Sequence, residues 1–170
     1  MSNVDLSRVP EYYHKYINLA IGDDLKTALQ NHQTGLVSLL ENVPEEKWDY
    51  RYAEGKWSIK EVVQHIIDGE RVFSYRALCF SRKDKTALPG FDENLFTENA
   101  NADSRTKQEL IDELKTVQKS SAQMFNSFNE EQLEQHGVAS GQPTYVQGIA
   151  YILVGHALHH KKILEERYLK

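Results

Sequence analysis

The sequence predicts an all-α fold, a four-helix bundle within one domain over residues 1–170. Four segments repeat apolar residues at alternating steps of three and four, which gathers side chains onto one face of a helix. No useful stretch alternates apolar and polar residues as a β-strand does. The chain of 170 residues is long enough for one well-buried core and short for two. A single helical bundle follows.

The four predicted helices are marked by their apolar faces and by their starts. The faces lie within residues 25–39, 59–80, 110–128 and 149–163. Three starts match a capping box, in which a hydroxyl and a side chain three residues later satisfy unpaired amides. The boxes pair Ser58 with Glu61, Thr106 with Glu109, and Thr144 with Gln147. Residues 8–20, rich in tyrosine, predict a further short helix packed on the bundle.

Turn-rich segments at residues 44–57, 84–103 and 137–143 read as loops between the helices. The segment 84–103 is long enough to run from one end of the bundle to the other. The second and third helices can therefore be parallel instead of forming a hairpin, although loop length permits this arrangement without requiring it.

Charge and hydropathy exclude several classes of partner. Twenty-five acids and 20 bases give a net charge of −5 and are spread along the chain, so we expect no nucleic-acid partner. No apolar run approaches the ~20 residues of a membrane span, and the first residues lack a signal-peptide core. A single cysteine, Cys79, is consistent with a reducing compartment. We expect a cytoplasmic protein without membrane contact.

The strongest chemical signal is a pair of histidines on the last helix. His156 and His160 are four residues apart, so both imidazoles can reach one cation, and they occupy positions where the helix face requires apolar residues. Two ligands are too few, and His65, on the inward face of the second helix, is the best third candidate. Three histidines leave one tetrahedral position open, as in catalytic zinc sites, and nickel or iron also accepts imidazoles.

Other interpretations of the histidines remain open. A single core histidine is more often a hydrogen-bonded core residue than a ligand. His159 competes with His160 as the partner of His156, but it rotates off the face, so we interpret it as a flanking residue. His32 is interpreted as a packed or edge histidine that could serve as an extra ligand. The remaining two, His14 and His136, read as surface residues.

Asp68 is the candidate catalytic carboxylate. It lies three residues after His65 and so shares its face, where it could accept a hydrogen bond from the second ring nitrogen of a metal-bound histidine. Pairing with Arg71 or Arg76 explains its presence equally well.

Two stretches carry a resemblance to a known family: KWSIKEVVQHIIDGE at residues 56–70 and HALHH at residues 156–160. Together they resemble the DinB/YfiT-like superfamily, over nearly the whole chain. The resemblance implies an up-down-down-up four-helix bundle, often a homodimer. It also implies a divalent metal, zinc or nickel, held by His65, His156 and His160.

The resemblance leaves the reaction open. Characterised members include transferases that use low-molecular-weight thiols such as bacillithiol, while others are described as metal-dependent hydrolases. We expect first a thiol S-transferase that acts on small electrophilic substrates with a thiol cosubstrate. The alternatives are a metal-dependent hydrolase and a non-catalytic metal-binding helical dimer in stress response.

Overall fold

The structure is a computed structural model that describes residues 4–170, so the first three residues of the segment considered for a signal peptide lie outside it. Seven α-helices and one hairpin are present in this range. They are α1 His14–Ala20, α2 Leu25–Glu41, α3 Ile59–Ser81, α4 Glu93–Asn99, α5 Lys107–Asn126, α6 Glu130–Leu133, β1 His136–Ala139, β2 Gln142–Tyr145 and α7 Val146–Ile163. Short 3-10 turns lie at Leu6–Arg8, Glu11–Tyr13, Glu45–Lys47 and Ala102–Ser104, and a π turn at Leu164–Tyr168 follows α7.

Helices α2, α3, α5 and α7 form the bundle, which confirms the predicted fold class. Contacts between α3 and α5 advance in step along both helices: Arg71 pairs with Glu113 at 2.6 Å, and Ser74 Oγ lies 2.8 Å from Ser121 Oγ. These two helices are therefore parallel. Lys107, at the start of α5, donates to carbonyls at the end of α2, so α2 runs the other way.

The apolar core consists of two clusters, one toward each end of the bundle. One contains Leu29, Phe73, Phe125 and Leu153, and the other contains Leu40, Ile66, Leu114 and Ala157. Each cluster draws side chains from all four long helices. Since α3 and α7 contribute opposite ends to the same cluster, they are antiparallel, which completes the up-down-down-up order.

Two of the three predicted capping boxes are confirmed. The Ser58 side chain accepts from the Glu61 amide and Glu61 accepts from the Ser58 amide, and the Thr106 and Glu109 pair does the same. The third box is wrong. Thr144 lies in β2, its hydroxyl is buried without a hydrogen-bond partner, and α7 begins after Tyr145 with no side-chain cap.

The hairpin and α4 are present in the structure but are not predicted by the sequence pattern. Strands β1 and β2 join through Ser140 and Gly141, both at positive φ (54° and 74°), the backbone of a tight hairpin turn. Four-residue strands are too short to show alternation. Leu88, in the long connection, adds a bridge to Ala139. Helix α4 lies within the same connection and is also shorter than a periodic pattern needs.

The N-terminal segment packs directly on α7 at two glycines. A Cβ at Gly155 would lie 2.0 Å from the carbonyl oxygen of Tyr16, and a Cβ at Gly148 would lie 2.6 Å from Val9 Cγ2. The two glycines are seven residues apart and share one face of α7. Their lack of side chains lets α1 approach the backbone of α7, and this contact brings tyrosines of the N-terminal segment over the middle of the bundle.

None of the helices formed by residues 4–170 is long and apolar enough to cross a membrane.

We predict that Gly155→Ala destabilises the protein by about 1–3 kcal/mol, because the new methyl group forces α1 away from α7. Urea unfolding followed by circular dichroism measures the change. Gly35→Ala is the matched control: Gly35 lies within α2 with only Lys161 Nζ at 4.0 Å, so alanine should be neutral or stabilising there. Equal stability of both variants would contradict the proposed contact.

Candidate metal centre

Three histidine side chains from two helices meet at one point between α3 and α7. The Nε2 atom of His156 lies 3.0 Å from Nε2 of His65 and 3.1 Å from Nε2 of His160. One nitrogen from each of the three rings lies within 4.8 Å of the others. The capped start of α3 at Ser58 places His65 two turns into that helix, and the spacing of four places the other two on one face of α7.

Burial keeps these imidazoles neutral. The side chains of His65, His156 and His160 are buried, with at most 9% of the residue exposed. Desolvation lowers the pKa of His65 to about 4. Desolvation, followed by the charges of the neighbouring histidines, lowers the pKa of His156 and of His160 well below the ordinary value. Neutral rings present free lone pairs at neutral pH.

The donor set fits a divalent transition-metal ion. Three neutral nitrogen donors converge on one point, and a cation there would accept a lone pair from each ring. Imidazole suits zinc, nickel, copper and iron, so the ligand type does not select one metal. Within residues 4–170, this is the one cluster of three or more histidine, cysteine or acidic side chains with such spacing.

Aromatic rings and a glycine pack against two of the three imidazoles. The Trp57 ring lies 4.8 Å from the His65 ring, and the Tyr16 ring lies 5.6 Å from the His156 ring, both measured between centroids. Gly69, one turn after His65, leaves room for His156: a Cβ at this position would lie 3.1 Å from His156 Cε1. The ring orientations thus depend on close packing around the cluster.

A cavity of about 210 Å³ opens above the histidines. Its walls are mostly aromatic and come from the N-terminal segment, the start of α3 and the connection before α4. The lining residues are Tyr12, Tyr13, Tyr16, Trp57, His65, Phe73, Phe91, Glu93, His156, His159 and His160. This volume is below the range of about 300–1,000 Å³ typical of drug-sized ligands, so the cavity suits a small molecule.

Asp68 lies outside this cavity. It lines a neighbouring cavity with Leu95 and Asn99, and its Oδ1 accepts a hydrogen bond from Gln64 Nε2 at 3.0 Å. Burial raises the pKa of its carboxyl group. The two arginines that the sequence offered as partners bind elsewhere: Arg71 pairs with Glu113, and Arg76 donates to the Pro89 carbonyl. The catalytic role of Asp68 stays a prediction.

The other histidines have separate environments. His159 lines the cavity beside the Tyr16 ring but is not one of the three converging nitrogens, as its interpretation as a flanking residue requires. His32 is buried and its Nε2 lies 3.0 Å from Glu70 Oε2. His136 is exposed as expected. The surface assignment of His14 is wrong, since it is half-buried with Nε2 3.0 Å from two backbone carbonyl oxygens.

Sequence reasoning missed the residues that wall the cavity. The sequence predicts that the tyrosines at positions 12, 13 and 16 lie in a short packed helix, and it gives no connection between them and the histidines. Glu93 was placed in a loop. The sequence contains only a weak indication of this wall. Three tyrosines within five residues are typical of a surface that makes both apolar and polar contacts. Their position over the site follows from the contact at Gly155.

The fold and the cluster together define a four-helix-bundle protein with a buried three-histidine centre. A sequence model of the DinB superfamily matches residues 28–164, and the chain belongs to this superfamily.

One solved structure with the same fold is that of YfiT from Bacillus subtilis, described as "a probable metal-dependent hydrolase with an unusual four-helix bundle topology". The TM-score is 0.75 at 16% identity, over 96% of this chain and 90% of that chain. No curated protein matches this chain significantly.

We predict that Gly69→Ala weakens zinc binding about tenfold, because the methyl group displaces the His156 ring. Competition with a coloured chelator measures the zinc affinity. Alanine also favours the helix by up to about 1 kcal/mol, so the stability of the metal-free variant should not fall in parallel. Unchanged zinc affinity would show that the ring tolerates the shift.

The metal-free protein should lose stability as the pH falls from about 6.5 to about 4. The folded pKa of His65 is about 4, below its ordinary 6.5, so the unfolded chain binds the proton first and is favoured in this window. The contribution of this residue is on the order of 3 kcal/mol. Urea unfolding at several pH values, compared between this protein and His65→Leu, isolates the contribution of His65. The same pH dependence of the free energy of unfolding in both proteins would contradict the prediction.

Proposed function

We propose that this protein is a divalent-metal-dependent enzyme that acts on a small molecule bound in the cavity above the three histidines. The convergence of Nε2 atoms from His65, His156 and His160 carries the proposal. The description of the YfiT structure as a probable metal-dependent hydrolase supports the same class of activity.

The residues of the chain provide binding and orientation. The three imidazoles would hold the ion, and the close ring contacts of Trp57 and Tyr16 would keep two of them oriented. The aromatic walls would shield a bound molecule from part of the bulk water. A divalent ion bound by three neutral ligands supplies a Lewis acid with an open position, where the pKa of a thiol or water is lowered.

We favour thiol S-transfer as the reaction. A soft thiolate suits zinc, and an aromatic cavity suits a small electrophilic substrate beside it. In this reaction the thiolate sulfur forms a bond to the electrophilic carbon, whose leaving group departs with its electron pair. Hydrolysis is the second candidate, supported by the description of YfiT. A non-catalytic metal-binding helical dimer is the alternative without turnover.

Three further features of this proposal come from the family resemblance and the sequence. We propose zinc or nickel as the ion, a homodimer as the assembly, and Asp68 as the catalytic carboxylate. Metal analysis of the purified protein, its mass in solution by light scattering, and the turnover rate of Asp68→Asn test them in turn.

We predict that His65→Ala loses bound metal while His159→Ala retains it, since only the first removes one of the three converging nitrogens. Both residues line the same cavity, which makes the second variant a matched control. Inductively coupled plasma mass spectrometry of the purified variants measures metal per chain. Equal retention in both would remove the helix α3 ligand from the proposal.

Activity is tested with two probes on the zinc-loaded protein. Conjugation of small thiols to 1-chloro-2,4-dinitrobenzene reports S-transfer, and release of nitrophenol from p-nitrophenyl acetate reports hydrolysis. We expect turnover that chelator abolishes, that His65→Ala lacks and that His159→Ala retains in part. A metal-loaded protein inert toward a panel of thiols and esters would favour the non-catalytic alternative.

A further inference from the structure

Glu93 occupies a distinctive position in the cavity. Among residues 4–170 it is the one carboxylate that lines the cavity above the histidines. It is the first residue of α4, and within the described chain its carboxylate has no hydrogen-bond or ion-pair partner. Its charge acts on the cavity itself, as one of the causes that raise the pKa of Tyr13 and of Tyr16 after desolvation.

Glu93 is not needed to start its helix. Asp92 already caps α4, because its Oδ1 accepts from the amides of Asn94 at 2.9 Å and of Leu95 at 3.0 Å. The side chain of Glu93 lies instead against the aromatic wall. Glu93 is exposed to solvent, so water screens part of its charge. An exposed carboxylate beside aromatic rings can attract a cationic group modestly, through its charge together with the ring faces.

The same aromatic cluster already holds an ammonium group. Lys15 Nζ lies 4.4 Å from the ring centroid of Tyr12 and 4.8 Å from that of Tyr16. The phenols stay neutral, because desolvation raises the pKa of Tyr16 and of Tyr13. Neutral, electron-rich rings attract cations at their faces.

The other cations near the cavity are engaged. Arg76 donates to the Pro89 carbonyl oxygen and to Ser140 Oγ, both at 2.9 Å. His159 stays neutral because burial, followed by the charges of Lys15 and Lys162, lowers its pKa. Neither forms an ion pair with Glu93. Lys15 is the resident cation of the ring cluster, and because its side chain is exposed, the ammonium group of a ligand could take its place on the tyrosine rings.

We propose that the cavity selects small ligands with a positively charged amino group, which binds Glu93 and the faces of the tyrosine rings. The other end of the ligand would reach the point where the three histidines converge. This inference rests on the proposed function, because it assigns a substrate class to the same site. A compact aminothiol, with a metal-seeking sulfur at one end and an ammonium group at the other, has this chemistry.

Three thiols that differ in end-group charge test the proposal: cysteamine carries an ammonium group, 2-mercaptoethanol is neutral, and 3-mercaptopropionate carries a carboxylate. Calorimetric titration of each into the zinc-loaded protein and into Glu93→Gln gives the dissociation constants. Each thiol is compared with itself between the two proteins, so its intrinsic acidity cancels. Glu98→Gln, an exposed residue of α4 outside the cavity, controls for the change in net charge.

We expect Glu93→Gln to weaken cysteamine binding about three- to fivefold, to leave 2-mercaptoethanol unchanged and to favour 3-mercaptopropionate slightly. Glu98→Gln should change none of them. An equal loss for all three thiols would assign Glu93 a structural role and overturn the inference. The same selectivity change in Glu98→Gln would reduce the effect to net charge and also overturn it.

The metal-free protein separates this inference from the proposed function. Amide chemical-shift titration with cysteamine and 2-mercaptoethanol follows weak binding after removal of metal by chelator. Preference for cysteamine that Glu93→Gln abolishes would support the cation site even if the histidines fail to retain metal. No preference in either metal-loaded or metal-free protein would overturn the inference, while metal retention and turnover would leave the proposed function standing.

Discussion

The interior of this bundle depends on a desolvated cluster of imidazoles. Three rings from α3 and α7 direct one nitrogen each to a common point, where Nε2 of His156 lies 3.0 Å from Nε2 of His65 and 3.1 Å from Nε2 of His160. Buried polar atoms are costly unless they are paired, and two contacts among three like groups satisfy them poorly. A cation at this point would satisfy all three rings. The convergence of the three imidazoles therefore determines both how the middle of the bundle packs and which chemistry the site could support.

The surroundings of the cluster depend on residues without bulk. Gly69 gives the His156 ring its space, and Gly155 lets α1 lie against α7 so closely that a methyl group would overlap the Tyr16 carbonyl. Helix backbones approach this closely only where side chains are absent. Gly69 therefore sets the orientation of the His156 ring, and Gly155 sets the position of the cavity wall that α1 provides.

Two further polar contacts join helices in the middle of the bundle, between the two apolar clusters. The buried pair of His32 and Glu70 joins α2 to α3, and one turn further along α3 the hydroxyl of Ser74 meets that of Ser121 on α5. Removing either partner of a buried pair leaves an uncompensated polar group, which is strongly destabilising.

The sequence by itself determined the four long helices and the candidate ligands, because helical periodicity, capping residues and a spacing of four are local properties. The long connection permitted a parallel pair of helices, and only the contacts between α3 and α5 established it. It could not reveal the hairpin or α4, whose length is shorter than a periodic signal. It also could not place Asp68 outside the cavity, or Glu93 and the tyrosines within it. Those positions arise from contacts between distant segments, above all α1 against Gly155, and only the tertiary structure decided them because local pattern carries no information about which surfaces meet.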